Sequence, residues 1–427
     1  MVQGGNTVQI KAIRGFSDIL SPETTRWKSL EDRAREVLEG FGFSEIRIPI
    51  LEQSELFSRG IGEGTDIVEK EMYTFTDRGG DLITMRPEAT ASVVRAYLEH
   101  KMYATDPVAK LYSIGPMFRH ERPQKGRLRQ FHQINAEVFG ISQPAIDAEV
   151  MAIVMHYLAG VDAARCVLQI NSLGCSRCRL PFKEKLRVFL KDHLPQLCED
   201  CRRRMDQNPL RSFDCKVQGC REVMTKAPLI SDDLCAECAE HFSAVRDYLE
   251  LLEMSYEVNP MMVRGLDYYT KTTFEVIADG LGAQNTVAAG GRYDGLVTAL
   301  GGPDIPGIGF AVGMERLLLI VPDAGLSSGP SLFIAALGKE PQREAFRISY
   351  TLNRAAVRTM TDYEGRGLKA QMRRADKSGA RYVLILGEDE QRAGKAILRD
   401  MADGRQEEIP LPSICERLVG KIRGEIL

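Results

Sequence analysis

Five basic side chains, Arg119, Arg122, Lys125, Arg127 and Arg129, open the stretch FRHERPQKGRLRQFHQINAEVFG at residues 118–140. Arginine offers a fixed fork of donors that matches phosphate oxygens, so the cluster suits a polyanion such as a triphosphate. A solvated charged turn is the plainer alternative. Sulfur forms the second chemically capable group. Eight of the ten cysteines fall in one segment, as Cys175-x-x-Cys178, Cys198-x-x-Cys201, Cys215-x4-Cys220 and Cys235-x-x-Cys238. In a reducing compartment such pairs favour metal over disulfide, and four thiolates suit tetrahedral zinc. The eight could build one zinc site, two or none; as thiols they would be small buried hydrophobes.

The basic cluster needs a rigid support. An apolar run at residues 108–117 precedes it, Pro and Gly punctuate it, and residues 130–138 alternate polar and apolar. That pattern predicts a hairpin whose returning strand is half-buried. Upstream, Ser21-Pro22-Glu23 reads as a helix start. Trp27, Leu30, Ala34, Val37, Leu38 and Phe41 recur at helical spacing until Gly42, and Ile46, Ile48 and Ile50 alternate as a strand interrupted by Pro49. A short strand at 82–85 leads to a helix beginning at Pro87, which places Glu88 and Thr90 in its first turn beside unpaired backbone N–H groups. Helices are expected over 145–159, 237–253 and 310–320, and strands over 166–170, 272–278 and 285–290. The last strand runs into GGRYDG, where paired glycines allow close backbone approach to a ligand. Residues 323–330 read as a Gly/Ser/Pro-rich linker. Beyond it, 332–337, 345–357, 368–375 and 382–386 alternate between strand-like and helix-like, which predicts a small α/β domain.

A length of 427 residues suggests two to four domains. With 44% hydrophobic and 27% charged residues, the composition is that of an ordinary globular protein. No apolar run approaches the ~18 residues of a membrane span, and the N-terminus lacks the zones of a signal peptide, so a cytoplasmic location is expected. A net charge of −3 argues against a uniformly basic nucleic-acid binder but permits local patches. Residues 331–427 carry 18 Lys and Arg against 14 Asp and Glu, a balance of +4 that leaves −7 for the remainder. This fits a tail domain that meets a phosphate backbone.

Four motifs, TMRPEATA at 84–91, FRHE at 118–121, VRGLDYYTKTTFE at 263–275 and GIGFAVGMERLLL at 307–319, together resemble the bacterial histidyl-tRNA synthetases, a family of class II aminoacyl-tRNA synthetases. The resemblance runs over nearly the whole chain, and RGLDYY is its most specific element. It implies an α+β fold. An antiparallel-sheet catalytic domain would occupy residues 1–170 and 254–325, a Cys-rich insertion 171–253 and an α/β anticodon-binding domain 331–427. It also implies ATP and Mg2+, L-histidine and tRNA(His) as ligands. The helix, strand and proline near the N-terminus are similar to the family's dimer-forming first motif, which implies a homodimer.

The same resemblance assigns roles to residues. Arg119 would hold the α-phosphate and the substrate carboxylate, Arg316 the γ-phosphate and Arg127 a further phosphate. Glu121 would meet the adenine amino group, and Phe131 would stack on the ring. Arg264 is the extra cation near the α-phosphate; an ion pair with the nearby Asp267 is its alternative. Glu88, Ala89 and Thr90 would contact histidine, although many members have Gly where Ala89 stands. Glu137 would accept from one imidazole N–H, Tyr269 would serve the other ring nitrogen, and Gln133 and Tyr268 would complete the pocket. The strongest rival is a regulatory paralogue that binds histidine without charging tRNA; such proteins usually lack the tail domain and an intact arginine motif.

Overall fold

The computed structural model describes residues 10–62, 64–163, 165–281, 285–323 and 330–424. Its chain divides into two compact units, Met1–Ile19 with Arg26–Asp323, and Leu20–Thr25 with Ala324–Leu427. In chain order the strands of the larger unit are β1 (Ser44–Glu45), β2 (Leu51–Gln53), β3 (Tyr73–Thr76), β4 (Leu82–Met85), β5 (Ala109–Phe118), β6 (Gln130–Phe139), β7 (Cys166–Ser172), β8 (Tyr256–Val258), β9 (Thr270–Ala278), β10 (Thr286–Arg292) and β11 (Gly307–Gly313). Eight of them form one sheet in the order β1-β5-β6-β11-β10-β9-β7-β8. Pairing is parallel only at its two edges, β1 with β5 and β7 with β8, and antiparallel between. The strands β2-β4-β3 make a separate small antiparallel sheet.

The large sheet is covered on one face by the helices Glu23–Gly40, Pro144–Gly160 and Ala236–Leu251. Trp27, Leu30, Ala34, Val150, Val154, Val245 and Leu249 pack there on Ile134, Ala136, Val138, Phe274 and Phe310. Val245 and Leu249 therefore bring the chain back onto the sheet before the 253 boundary expected for the insertion. A buried ion pair fixes this layer to the far end of β10. Asp147 accepts from Arg292 (Nη2 at 2.7 Å) and also faces His241 Nε2 at 2.8 Å. Between Ser172 and Ala236 the insertion builds its own core from Phe182, Leu186, Leu190, Met205, Leu210 and Val223.

The predicted hairpin is β5–β6, and the expected strands at 82–85, 166–170, 272–278 and 285–290 are all present within a few residues. Four expectations change, the first being that the helix expected from Pro87 begins only at Thr90 and leaves Glu88 just before its first turn. Residues 46–50 are not a strand: β1 and β2 flank them and join different sheets, because Pro49 lacks a donor and the chain turns from one sheet to the other. Phe41 is 39% exposed, past the last helical turn, where Gly42 adopts a left-handed φ of 82°. Phe310 belongs to β11, and the helix is only Met314–Ile320. A strand buried in mid-sheet carries a nearly continuous apolar run, which periodicity does not separate from a buried helix.

The smaller unit has a five-stranded sheet, β13-β12-β14-β15-β16. Its strands are β12 (Leu332–Ala336), β13 (Thr359–Thr361), β14 (Tyr382–Leu386), β15 (Lys395–Asp400) and β16 (Gln406–Pro410). β13, β12 and β14 run parallel, and β15 and β16 add an antiparallel edge. Helices Lys339–Arg354 and Ile414–Gly424 cover one face, with Ile348, Leu352, Leu418 and Ile422 buried. Of the expected linker, residues 324–329 lie outside the described residues. Among the described residues no helix is long and apolar enough to cross a membrane.

Candidate active site

Alternation along β6 separates two environments. Ile134, Ala136 and Val138 enter the core, whereas Phe131, Gln133 and Asn135 line a cavity of about 760 Å³. The polar face of this strand is the floor of a pocket and not a solvated surface. Its neighbour β11 presents small residues to the same cavity, Gly309, Ala311 and Gly313. Their size sets the room available. A Cβ on Gly309 would lie 1.8 Å from Glu137 Oε2, so only glycine leaves space for that carboxyl.

Glu137 is 2% exposed. Its Oε1 accepts from Thr90 Oγ1 at 2.7 Å and its Oε2 from Tyr293 OH at 2.5 Å. Burial, with Glu88 as a nearby like charge, pushes its pKa up to about 8 against the pull of those two hydroxyls. Glu88 precedes the helix Thr90–Glu99 and caps it, accepting from the N–H groups of Thr90 (2.7 Å) and Ala91 (2.9 Å). Burial raises this carboxyl too. Tyr268 sits between them: its OH is 3.5 Å from Glu88 Oε2, and its ring meets that of Tyr293 edge-on at 5.7 Å. Burial holds both phenols well above their usual pKa, so they remain neutral donors.

Cations line the rest of the cavity. Arg119 leaves the end of β5, donates Nε to Pro87 O at 2.8 Å and lies over the Phe131 ring at 5.3 Å. Arg127, in the hairpin loop, pairs with Glu121 at 2.8 Å. Arg316, on the helix after β11, donates to Thr286 O at 2.6 Å. Burial, then Arg127, and more weakly Arg119, push its pKa down, with Glu121 opposing them. Arg264 pairs with Glu275 and stands over the Tyr269 ring at 5.5 Å. Burial opposes its charge, but Glu275 and the neighbouring tyrosines more than restore it. Three buried polar atoms facing this space have no protein partner among the described residues: Gln133 Oε1, Asn135 Nδ2 and Arg264 Nε.

The cysteines resolve into two tetrads, Cys175/Cys178/Cys235/Cys238 and Cys198/Cys201/Cys215/Cys220, each with its sulfurs within 4.8 Å of one another. Tetrahedral Zn–S bonds of about 2.3 Å require sulfurs about 3.8 Å apart. The separations Cys175–Cys178, Cys175–Cys235 and Cys198–Cys215 are 3.8, 3.9 and 3.8 Å. Backbone N–H groups of Cys235 and Cys198 point at Cys178 Sγ (3.1 Å) and Cys220 Sγ (3.2 Å), as suits thiolate acceptors. The donor sets fit a mononuclear tetrahedral metal, two per chain.

Most residues singled out in the sequence thus meet at one cavity: Glu88, Thr90, Arg119, Glu121, Arg127, Phe131, Gln133, Arg264, Tyr268, Tyr269 and Arg316 line it, with Glu137 buried directly behind Thr90 and Tyr293. Ala89 does not. Its side chain is 1% exposed and packs with Val93, Val94 and Tyr97 beneath the helix start. The Arg264–Asp267 pair, the alternative weighed for this arginine, is not formed among the described residues; Glu275 takes the arginine, and Asp267 instead accepts from Asn208 Nδ2 at 2.7 Å. Sequence reasoning missed Tyr293, Glu275, Asn135 and Thr286. The GGRYDG turn was the available signal for Tyr293.

The comparisons agree with this geometry. A family model described as histidyl-tRNA synthetase matches residues 15–317, and one described as anticodon binding domain matches 331–421. A protein of Geobacter sulfurreducens named histidine–tRNA ligase is 57% identical over 402 residues, covering 94% of this chain and 97% of the relative. One of the same name from Syntrophotalea carbinolica is 51% identical over 418 residues, 98% of this chain and 100% of the relative. The crystal structure of apo histidyl-tRNA synthetase from S. aureus superimposes with a TM-score of 0.80 at 35% identity, covering 96% of this chain and 100% of that one. With the antiparallel sheet, the carboxyl-floored pocket and the arginine ring on one side and these matches on the other, the chain belongs to the histidyl-tRNA synthetase family.

Proposed function

We infer that this chain is a histidine–tRNA ligase: it joins L-histidine to ATP as histidyl-adenylate, releases pyrophosphate and transfers histidine to the 3′ end of tRNA(His). The observation that carries this is a buried Glu137, hydrogen-bonded to Thr90 and Tyr293, two residues of the wall of a cavity also lined by Arg119, Arg127, Arg264 and Arg316. A committed polar floor suits an imidazole, because analogues that leave such groups unpaired are rejected by ~10⁴-fold or more. Four cations suit a triphosphate.

The reaction asks little chemistry of the protein. The attacking carboxylate is already ionised, so no protein base is needed, and rate comes from alignment and from cations where negative charge gathers. Arg119 and Arg264 would bracket the substrate carboxylate and α-phosphate, Arg316 and Arg127 the outer phosphates. Phe131, already beneath a guanidinium, would stack on adenine, and Glu121 would accept from its amino group. Glu137, Tyr268, Tyr269 and Gln133 would surround the imidazole, and Glu88 would take the α-amino group. The cavity's carboxylates are engaged: Glu121 with Arg127, Glu275 with Arg264 and Thr286, Glu315 with His132, Asp66 with Arg204 and Arg211, Asp214 with Arg211, Asp200 with Arg203, and Glu88 with the N–H groups of Thr90 and Ala91. Magnesium is therefore expected to enter on the ATP phosphates as part of the substrate. The two tetrads would each hold a structural zinc.

The unit from Ser331 onward would read the anticodon. A second copy of the chain would complete a homodimer on the exposed apolar surface around Ile50, Leu51, Phe75 and Leu82, of which Leu82 is 56% exposed. A regulatory histidine binder would need neither the full arginine set nor the tail unit. Pyrophosphate exchange measured with a panel of amino acids tests the proposal: exchange should depend on histidine. No exchange, or exchange driven equally by another amino acid, refutes it.

A further inference from the structure

The two cysteine tetrads have different surroundings. Cys175, Cys178, Cys235 and Cys238 clamp the base of the insertion, where the helices Ser176–Asp192 and Ala236–Leu251 begin. Cys198 and Cys215 of the other tetrad line the active-site cavity itself. Between Cys201 and Cys215 run the end of the helix Glu199–Gln207 and the 3₁₀ turn Pro209–Asp214, and this segment reaches into the site. Asn208 Nδ2 donates to Asp267 Oδ1 at 2.7 Å, and Arg211 Nη1 to the carbonyl of Arg264 at 3.4 Å. Arg204 and Arg211 also hold Asp66 at 3.0 and 3.1 Å, on the cavity rim. Every one of these contacts bears on the RGLDYY segment or the loop facing it. Helices of nine and seven residues are too short to be stable unaided, and the apolar filling here is partly the cysteines themselves. Four thiolates without a cation would repel one another. A bound metal would let the four sulfurs ionise together and would cross-link this segment beyond what its small apolar core supplies.

We propose that zinc in the Cys198–Cys201–Cys215–Cys220 tetrad positions the amino-acid end of the active site, by holding Asn208 and Arg211 against Asp267 and the Arg264 backbone. Occupancy of this tetrad, two of whose cysteines line the cavity, sets affinity for histidine; occupancy of the other anchors the insertion and reaches the pocket only through backbone, by Arg179 Nη1 on the Tyr269 carbonyl at 2.6 Å and Gly174 O beside Thr270 and Lys271, and so weighs less on histidine. The inference rests on the ligase and zinc readings above and adds to them an asymmetry between two chemically equal sites.

The test uses full-length protein purified without chelator. Elemental analysis should find two zinc per wild-type chain. C198S/C215S and C175S/C178S should each retain one. Calorimetric titration should then separate them: histidine Kd rises at least ~10-fold in C198S/C215S and stays within ~3-fold in C175S/C178S, with ATP affinity little changed in either. Asn208→Ala keeps both zinc ions and its fold, removes only the link to Asp267, and should also weaken histidine binding, by ~5-fold. Should a cysteine variant not fold, Asn208→Ala and Arg211→Met decide alone. Equal histidine affinity in the two double variants, unchanged affinity in Asn208→Ala and Arg211→Met, or a wild type that exchanges pyrophosphate with histidine yet carries fewer than two zinc overturns the proposal. A wild type that shows no histidine-dependent exchange at all overturns the ligase reading with it.

Discussion

Histidine binding should be linked to a proton through Glu137, and the linkage has a definite sign. As pH rises through 8 the empty site loses the Glu137 proton, since burial places its pKa at about 8. Free imidazole, with a pKa of about 6.5, is also neutral there. A carboxyl and an imidazole in contact share one proton, whether written as acid and neutral ring or as carboxylate and imidazolium. Near pH 7.2 that proton is already on Glu137, and binding moves none. At pH 8.5 about three quarters of the empty sites are deprotonated, so binding must take up about 0.75 proton, and the histidine Kd rises toward tenfold for each further pH unit. Glu88, Tyr268, Tyr269 and Tyr293 also face this carboxyl; the tyrosines stay neutral across the range, and Glu88 is present in any variant used as a control. The substrate's α-amino group titrates nearby and adds its own uptake. Glu137→Gln separates the two contributions, because the amide removes the shared proton and leaves the amine. Calorimetry at pH 8.5 in paired buffers of different ionisation enthalpy should show about 0.75 more protons taken up by the wild type than by Glu137→Gln. Equal uptake by both proteins refutes the reasoning.

Arg264→Ala should slow adenylate formation by ~10²–10³ while transfer from preformed adenylate falls much less; proportional loss in both half-reactions with a lowered Tm would make Arg264 a structural partner of Glu275 instead. Gly309→Ala should abolish measurable histidine binding with ATP binding retained, since its methyl would overlap Glu137 Oε2 at 1.8 Å; unchanged histidine affinity would show that the floor can relax. Removal of residues 331–427 should leave histidine-dependent pyrophosphate exchange largely intact and weaken tRNA binding, and a folded truncation that charges tRNA at full efficiency would rule out an anticodon role for the tail.

The β5–β6 hairpin was legible because both of its strands are long and its loop is marked by Pro, Gly and charge. The same residues carried most of the site, because phosphate chemistry demands arginines and a strand demands alternation. What alternation did not reveal was that the polar face of β6 looks into a cavity; that depends on β11 lying beside it, a pairing between residues far apart in sequence. The one ion-pair partner the sequence offered Arg264 as an alternative was Asp267, three residues away, whereas the fold supplies Glu275 from β9 and commits Asp267 to the insertion. Tyr293 was passed over because GGRYDG draws attention to its glycines, and its hydroxyl finds Glu137 only after the sheet is assembled. Pairing of eight cysteines into two tetrads is likewise a three-dimensional fact, since Cys175 and Cys235 are 60 residues apart.

The order of strands also has a consequence for when the site comes into being. Tyr293 reaches Glu137 across 156 residues of chain, and the glycine strand that makes room for that carboxyl is the last to join the large sheet. Pairings of such long range carry a loop-closure cost that local contacts do not, and they form late. As the chain emerges from the ribosome, β5 and β6 can meet at once and the insertion can collapse around its cysteines, yet the space between β6 and β10 stays open until residues 307–313 have been made. A nascent chain therefore holds its arginine-bearing loop, the proposed phosphate site, well before it has the pocket proposed to tell histidine from another amino acid.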